Sequence, residues 1–319
     1  MPHHTRAPHR VRDRIRLLFV NTQERALLTA IGLTSYPQWI AAATGLDPAQ
    51  IVTINVADGQ PLPDTIEADA VIGGGSGHSA YEKLPWITRT KEFFRAAARA
   101  GVPELHICWS HQARAESVGG RAAIGGHGRR FGIDTVRLTP AGRRDPLFTG
   151  LPDEFDLFTS HVDVVEQVPA RAPEGAVVEL AYSQVYRNEA LAIGPTVRTI
   201  QAHPEITASI ISALARSRRG ALVREGWIGP DDADLDAFTA TLYAREAQIV
   251  ATSRRLMANW LRYHVHLGVR PDTAPTGTPS TDAGVGVAAG AGAVAGAGVG
   301  AGAGAGAHGG VPAAVGGVL

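Results

Sequence analysis

Short apolar runs alternate with helix-length segments through the first half of the chain, and that alternation restricts the fold more than any other feature. Residues 15–20 read as a buried strand, 36–43 as a helix, 51–56 as a second strand and 69–72 as a third. The third runs into Gly73, Gly74, Gly75, Ser76 and Gly77. Residues 86–100 carry Ile87, Phe94 and Ala98 on one helical face. A fourth strand is expected over 102–107, then a helix over 110–118 that stops at Gly119 and Gly120. Strands separated by helices predict a parallel sheet with helices on both faces. The second half is richer in strands, at 134–138, 155–160, 177–182 and 197–202, followed by a helix over 206–216. From 231 to 264, Leu235, Phe238, Leu242, Ile249, Leu256 and Trp260 form one apolar stripe. A stripe of that length predicts a long helix or helical hairpin covering the same domain, in preference to a dimer seam.

Composition narrows the function classes. Thirty basic residues cancel thirty acidic ones, which leaves no electrostatic footprint for nucleic acid. A single cysteine excludes a disulfide framework and a Cys-rich zinc cluster. Many of the 37 glycines crowd into residues 283–319, nearly all Ala, Gly and Val. Such a tract has little surface to bury and much ordering entropy to lose, so 271–319 is expected to be a disordered tail. Ala and Gly contribute too little transfer energy to favour a membrane span. Residues 1–13 read as a disordered basic start without the apolar segment of a secretory signal, which makes the cytoplasm the expected setting.

Chemistry-bearing residues gather at expected strand ends, where open parallel sheets place their reactive groups. Cys108 stands at a strand-to-helix junction, where a helix N-terminus favours the thiolate that attacks carbonyl carbon. His203 follows another strand and can move protons, with Glu205 holding its ring. Backbone N–H groups from the glycine run and from Trp109 can hold a developing oxyanion. The glycine run fits neither nucleotide-binding pattern: no Lys-Ser/Thr follows it, and His78 stands where a final Gly would be needed. The same His78 counts against Ser76 as a rival nucleophile.

Together these pieces resemble the class I glutamine amidotransferase family. The resemblance rests on Gly101-Val-Pro-Glu-Leu-His-Ile-Cys-Trp-Ser-His-Gln112, on Gln201-Ala-His-Pro-Glu205, on Thr159-Ser-His-Val-Asp163 and on Asp69-Ala-Val-Ile-Gly-Gly-Gly75. It spans about residues 14–265 and implies a flavodoxin-like α/β fold with a parallel or mixed sheet. A catalytic domain is expected over 14–216 and a helical extension over 217–270. By this resemblance Cys108 is the nucleophile, His203 the general base and acid, and Glu205 its orienting carboxylate. Gly74, Gly75 and Trp109 line the oxyanion hole. Gln112, Ser160 and His161 meet the α-amino and α-carboxyl end of glutamine, and Asp163 holds its own loop. Neither a cofactor nor a metal is expected.

Two positions depart from the family's Gly-x-Cys-x-Gly-His-Gln elbow: His106 and Ser110 replace its two glycines. His106 either packs structurally, the favoured reading, or faces the pocket and alters substrate choice. Three functions stay open. The chain hydrolyses glutamine and supplies ammonia to a separate synthetase; it is a free-standing γ-glutamyl amide hydrolase; or it is a non-catalytic subunit whose pocket His106 blocks.

Overall fold

The computed structural model describes residues 15–33 and 35–266. The expected basic start and the Ala/Gly tail lie outside the described residues. In chain order the elements are β1 (Leu17–Asn21), α1 (Arg25–Ala30), α2 (Tyr36–Thr44), β2 (Ile51–Asn55), β3 (Ala70–Gly73), α3 (Pro85–Arg99), β4 (Glu104–Ile107) and α4 (Trp109–Ser117). Then come β5 (Arg121–Ile124), β6 (Arg130–Leu138), β7 (Glu154–His161), β8 (Asp163–Gln167), β9 (Arg171–Ala172), β10 (Gly175–Tyr182), β11 (Ala190–Ile193) and β12 (Val197–Ile200). Helices α5 (Ala208–Ser217), α6 (Arg219–Arg224) and α7 (Asp232–Asn259) follow, and α7 runs on into a π-helix over Trp260–His266.

The main sheet has the order β2-β1-β3-β4-β12-β11-β10-β6-β7, with β9 paired to β10. Its first five strands are parallel. From β12 onward the neighbours are antiparallel. This is the expected mixed α/β sheet. Strand β1 shows why a continuous apolar run belongs here: successive side chains point to opposite faces. Leu17 and Phe19 pack with Tyr36 and Ile40 of α2, while Leu18 and Val20 pack with Phe93, Phe94 and Ala97 of α3. The edge strand β2 is only partly buried, whereas β3, β4 and β12 are buried throughout.

This order fixes the site. Strand β4 lies between β3 and β12 and runs parallel to both, so all three carboxyl ends open on one edge of the sheet. The antiparallel half curls back to the same place, because the His203 amide donates to the Phe158 carbonyl of β7 (2.9 Å). Beyond it, β5 and β8 form a separate two-stranded ladder that pairs Ile124 with Asp163.

The apolar stripe near the C-terminal end is buried against the sheet and its helices. Leu235, Leu242 and Ile249 of α7 join a cluster with Phe131, Phe158 and α5. Leu256, Met257 and Trp260 join the larger cluster that contains Phe19 and Tyr36. Among the described residues no helix is long and apolar enough to cross a membrane. Ile249→Ala is expected to cost about 2–5 kcal/mol of unfolding free energy, because a buried branched side chain leaves a cavity. Tyr243→Ala, on the exposed face of the same helix, should stay within about 0.5 kcal/mol. Urea unfolding of the two variants checks the pair.

Candidate active site

Cys108, the chain's one cysteine, sits between β4 and α4 with φ +51° and ψ −107°. Only it and Asn188 among the described non-glycine residues have positive φ. Such a conformation costs about 1–3 kcal/mol and persists only where surroundings enforce it. Here the Cys108 amide donates to the Ile200 carbonyl of β12 (2.8 Å), and its carbonyl accepts the Gln112 amide (3.1 Å). The sulfur thus stands at the start of α4, where helix amides favour negative charge. Gln201 Nε2 lies 3.6 Å from Sγ.

The two elbow departures are accommodated by one missing side chain. A Cβ on Gly73 would stand 2.5 Å from Ser110 Oγ and 2.9 Å from His106 Nδ1, so both replacements occupy room that a glycine on the neighbouring strand leaves open. Ser110 uses that room to donate from Oγ to the Gly74 carbonyl (2.6 Å), which also accepts its amide (3.2 Å). His106 packs edge-on to Phe94, 4.3 Å between ring centroids, and its Nε2 meets Glu104 Oε2 at 2.6 Å. It therefore occupies the structural position. Burial, then the charges of Arg114 and His111, hold its pKa well below the ordinary imidazole value. Burial raises Glu104 to about 8 against the pull of Arg114.

The expected acid–base pair, His203 and Glu205, follows β12. Glu205 Oε1 accepts from His203 Nδ1 (2.7 Å) and from the Tyr36 hydroxyl (2.8 Å). With Nδ1 committed to the carboxylate, Nε2 is the nitrogen left to face the Cys108 side chain. Burial would pull the His203 pKa down, but the charges of Glu205 and Cys108 outweigh it and push the ring up to about 10. Behind Glu205 lies a cavity of about 40 Å³, lined in part by Ala42, Val250 and Ser253. Its lining carries the unpartnered Ser253 Oγ, and Oε2 of Glu205 is likewise unpartnered.

Tyr36 was not singled out by the sequence, and it changes the expected oxyanion hole. Its hydroxyl accepts the Gly75 amide (2.7 Å), while the Gly74 amide donates to the Val20 carbonyl (3.1 Å). Both glycine N–H groups expected to hold an oxyanion are thus already engaged. The cause is simple: β3 continues its sheet bonding one residue past its end, and a buried tyrosine takes the next donor. Trp109 differs, since its amide opens α4, where no preceding turn of helix supplies a carbonyl.

The remaining expected residues come together on the β7 side. Gln112 Nε2 donates to the Asp163 carbonyl (2.8 Å) and to Gln201 Oε1 (3.1 Å). His161 Nδ1 lies 3.0 Å from the same Asp163 carbonyl. A carbonyl only accepts, so Nδ1 carries the proton and Nε2 presents a lone pair, buried and without a partner among the described residues. Burial drives His161 down to about 3, and repulsion by His203 adds to the effect. Ser160 Oγ accepts from Arg218 Nη1 (2.6 Å), a contact 58 residues apart in sequence. Gln201 and Arg218 were also unassigned in the sequence. Gln201 at least stood inside a quoted motif, whereas Arg218 carried no signal beyond a local run of basic residues.

Comparison with known proteins matches residues 49–213, a little over half of the chain, to the model of the class-I glutamine amidotransferases. A GMP synthase [glutamine-hydrolyzing] from Thermosipho melanesiensis is 33% identical over 143 residues, covering 43% of this chain and 24% of that enzyme. A gamma-glutamyl-L-1-hydroxyisopropylamide hydrolase from a Pseudomonas species is 29% identical over 164 residues, covering 50% of this chain and 54% of that one. The chain thus covers less than two thirds of either relative. A glutamine amidotransferase crystal structure from Thermotoga maritima superposes with a TM-score of 0.62 at 19% identity, over 77% of this chain and 98% of that one, a likeness of fold.

Two outcomes test this geometry. His203 gains charge through its neighbours, so its ring should hold a proton through neutral pH and lose it near 10. Cys108→Ala removes one of the two side chains that raise the ring and should lower that midpoint, read by NMR titration of the imidazole. By linkage the raised pKa adds stability that is complete below about 6.5, the ordinary imidazole value, and is lost as pH climbs through the higher folded value. Gly73→Ala should destabilise by about 1–3 kcal/mol through overpacking, and adding Ser110→Gly should recover part of the loss. Thermal unfolding of the single and double variants measures it.

Proposed function

The chain belongs to the class-I glutamine amidotransferase family, and from that premise we propose that it hydrolyses a γ-carboxamide through a Cys108 thioester and supplies the ammonia to a separate synthetase. The carrying observation is the strained Cys108 elbow on a strand adjacent to the one that delivers His203 and Glu205.

In this reading the Cys108 thiolate adds to the side-chain carbonyl carbon of glutamine. A C–S bond forms, and the carbonyl electron pair moves onto oxygen. The Trp109 amide, at the head of α4, is the donor best placed to meet that charge. The protonated His203 ring gives its Nε2 proton to the departing nitrogen as the C–N bond breaks. The neutral ring then takes a proton from water, whose oxygen attacks the thioester and frees glutamate and the thiol. Tyr36 and Glu205 keep the ring aimed throughout, because the Glu205 oxygen that accepts Nδ1–H is itself held by a second donor. His161 Nε2, neutral and acceptor-only, suits an ammonium group on the substrate. A cytoplasmic setting fits a chain whose single cysteine works as a free thiolate.

A second reading is favoured by the likeness to the Pseudomonas amide hydrolase. The same steps release a free amine if the leaving nitrogen carries a substituent, and no synthetase is then required. The non-catalytic reading rested on His106 blocking the pocket, and the packing of that ring on Phe94 and Glu104 leaves it without support.

The purified chain should release ammonia from glutamine or an amine from an N-substituted γ-glutamyl amide. Cys108→Ala should reduce this to background, and His203→Ala should slow it by about 10²–10⁴-fold, the usual worth of a general acid–base group. Turnover by the chain alone favours the free-standing hydrolase, and turnover only with an added synthetase favours the subunit. No turnover of any γ-glutamyl compound in either setting overturns both.

A further inference from the structure

We infer that Arg218 is the residue that recognises the α-carboxylate of the γ-glutamyl donor, an inference that rests on the hydrolase reading above for the identity of the anion. Arg218 lies at the junction of α5 and α6 and reaches across to β7, where Nη1 donates to Ser160 Oγ at 2.6 Å, beside His161. It makes neither a hydrogen bond nor an ion pair with Cys108, yet lies within Coulombic range of it. That is a suitable station for a group reading the far end of the substrate, since two methylenes and the α-carbon separate the attacked carbonyl from the α-carboxylate.

The local charge inventory singles it out. Its cationic neighbours are matched: Arg129 pairs with Glu225 (2.7 Å), Arg130 with Asp134 (2.9 Å) and Arg219 with Asp232 (2.6 Å). Among the described residues Arg218 has no carboxylate oxygen within 4.0 Å. A half-buried guanidinium with no counter-ion is a cost to the fold that a neighbouring acid would relieve. The same imbalance shows in its pKa, lowered to about 9 by burial and then by Arg129, with Cys108 and Glu225 opposing. A bound carboxylate removes the deficit and matches the planar fork. With the orphan acceptor at His161 Nε2, the wall then offers a cation for the carboxylate and a lone pair for the ammonium of one amino-acid head group. The rival explanation is structural: a cation at the C-terminal end of α5 offsets the helix dipole, for about 0.3–1 kcal/mol.

Cys108 is the only cysteine, so its alkylation reads the site without reference to turnover. Arg218→Met keeps the apolar stem and removes the charge. The ratio of Cys108 alkylation by iodoacetate to that by iodoacetamide should fall about tenfold, and the preference in kcat/KM for glutamine over 4-aminobutanamide, which lacks the carboxylate, should fall about 10- to 100-fold, the worth of hydrogen bonds to a charged group. A merely structural arginine would slow both alkylating agents and both amides alike. Ratios within about twofold of wild type overturn the assignment. If no amide is hydrolysed by the wild-type chain but the alkylation ratio falls, the anion site stands and the hydrolase reading is what fails. Should Arg218→Met not fold, Arg218→Lys decides. Charge without the planar fork should preserve the alkylation ratio while raising KM for glutamine several-fold, and an unchanged KM counts against the proposal.

Discussion

The site depends on holding Cys108 in a backbone conformation that an L-residue avoids. Its φ of +51° is enforced from three sides. The Ile200 carbonyl of β12 takes its amide, the first turn of α4 takes its carbonyl, and the next residue but one is tied twice to the Gly74 carbonyl beyond β3. Two of those anchors, on β12 and just past β3, belong to strands whose ends carry other residues of the candidate site. The strand that fixes the nucleophile on one side carries His203 and Glu205 past its end, and the strand on the other side carries the glycine run. Local strain and catalytic proximity are thus consequences of the same parallel strand order.

That arrangement explains which parts of the molecule were legible in sequence. Strands β1 and β3 are buried on both faces and read as apolar runs, and the site motifs follow β3, β4 and β12. Strand β11 is fully buried but reads Ala-Leu-Ala-Ile, and β5 reads Arg-Ala-Ala-Ile; alanine has little strand preference, so pairing in the sheet decides both. Cys108, His203 and Glu205 could be singled out because they sit in short motifs. The partners of those residues were not. Tyr36 meets Glu205 across 169 residues, and no local pattern marks a tyrosine on the buried face of a helix as a hydrogen-bond bridge. The partners of the Gly74 and Gly75 amides were hidden for the same reason: a sequence displays donors without showing what already accepts from them. His106 became intelligible only through Gly73, a strand away.

Electrostatics completes the argument. Buried imidazoles crowd this edge of the sheet, and burial discharges nearly all of them. His106 is held well below its ordinary value, and His111 and His161 fall to about 3. Burial likewise pushes Glu104 and Glu189 up to about 8. His203 is equally buried and yet rises to about 10, because it alone among these rings lies between a carboxylate and the thiolate position. The low-dielectric surroundings that neutralise its neighbours strengthen those two attractions, so one protonated ring stands among neutral ones. Of the buried rings His106, His111, His161 and His203, only His203 is pushed toward its charged form. Arg218, hydrogen-bonded to Ser160 Oγ and without a carboxylate partner among the described residues, is the cation at this wall that the inference offers to an anion.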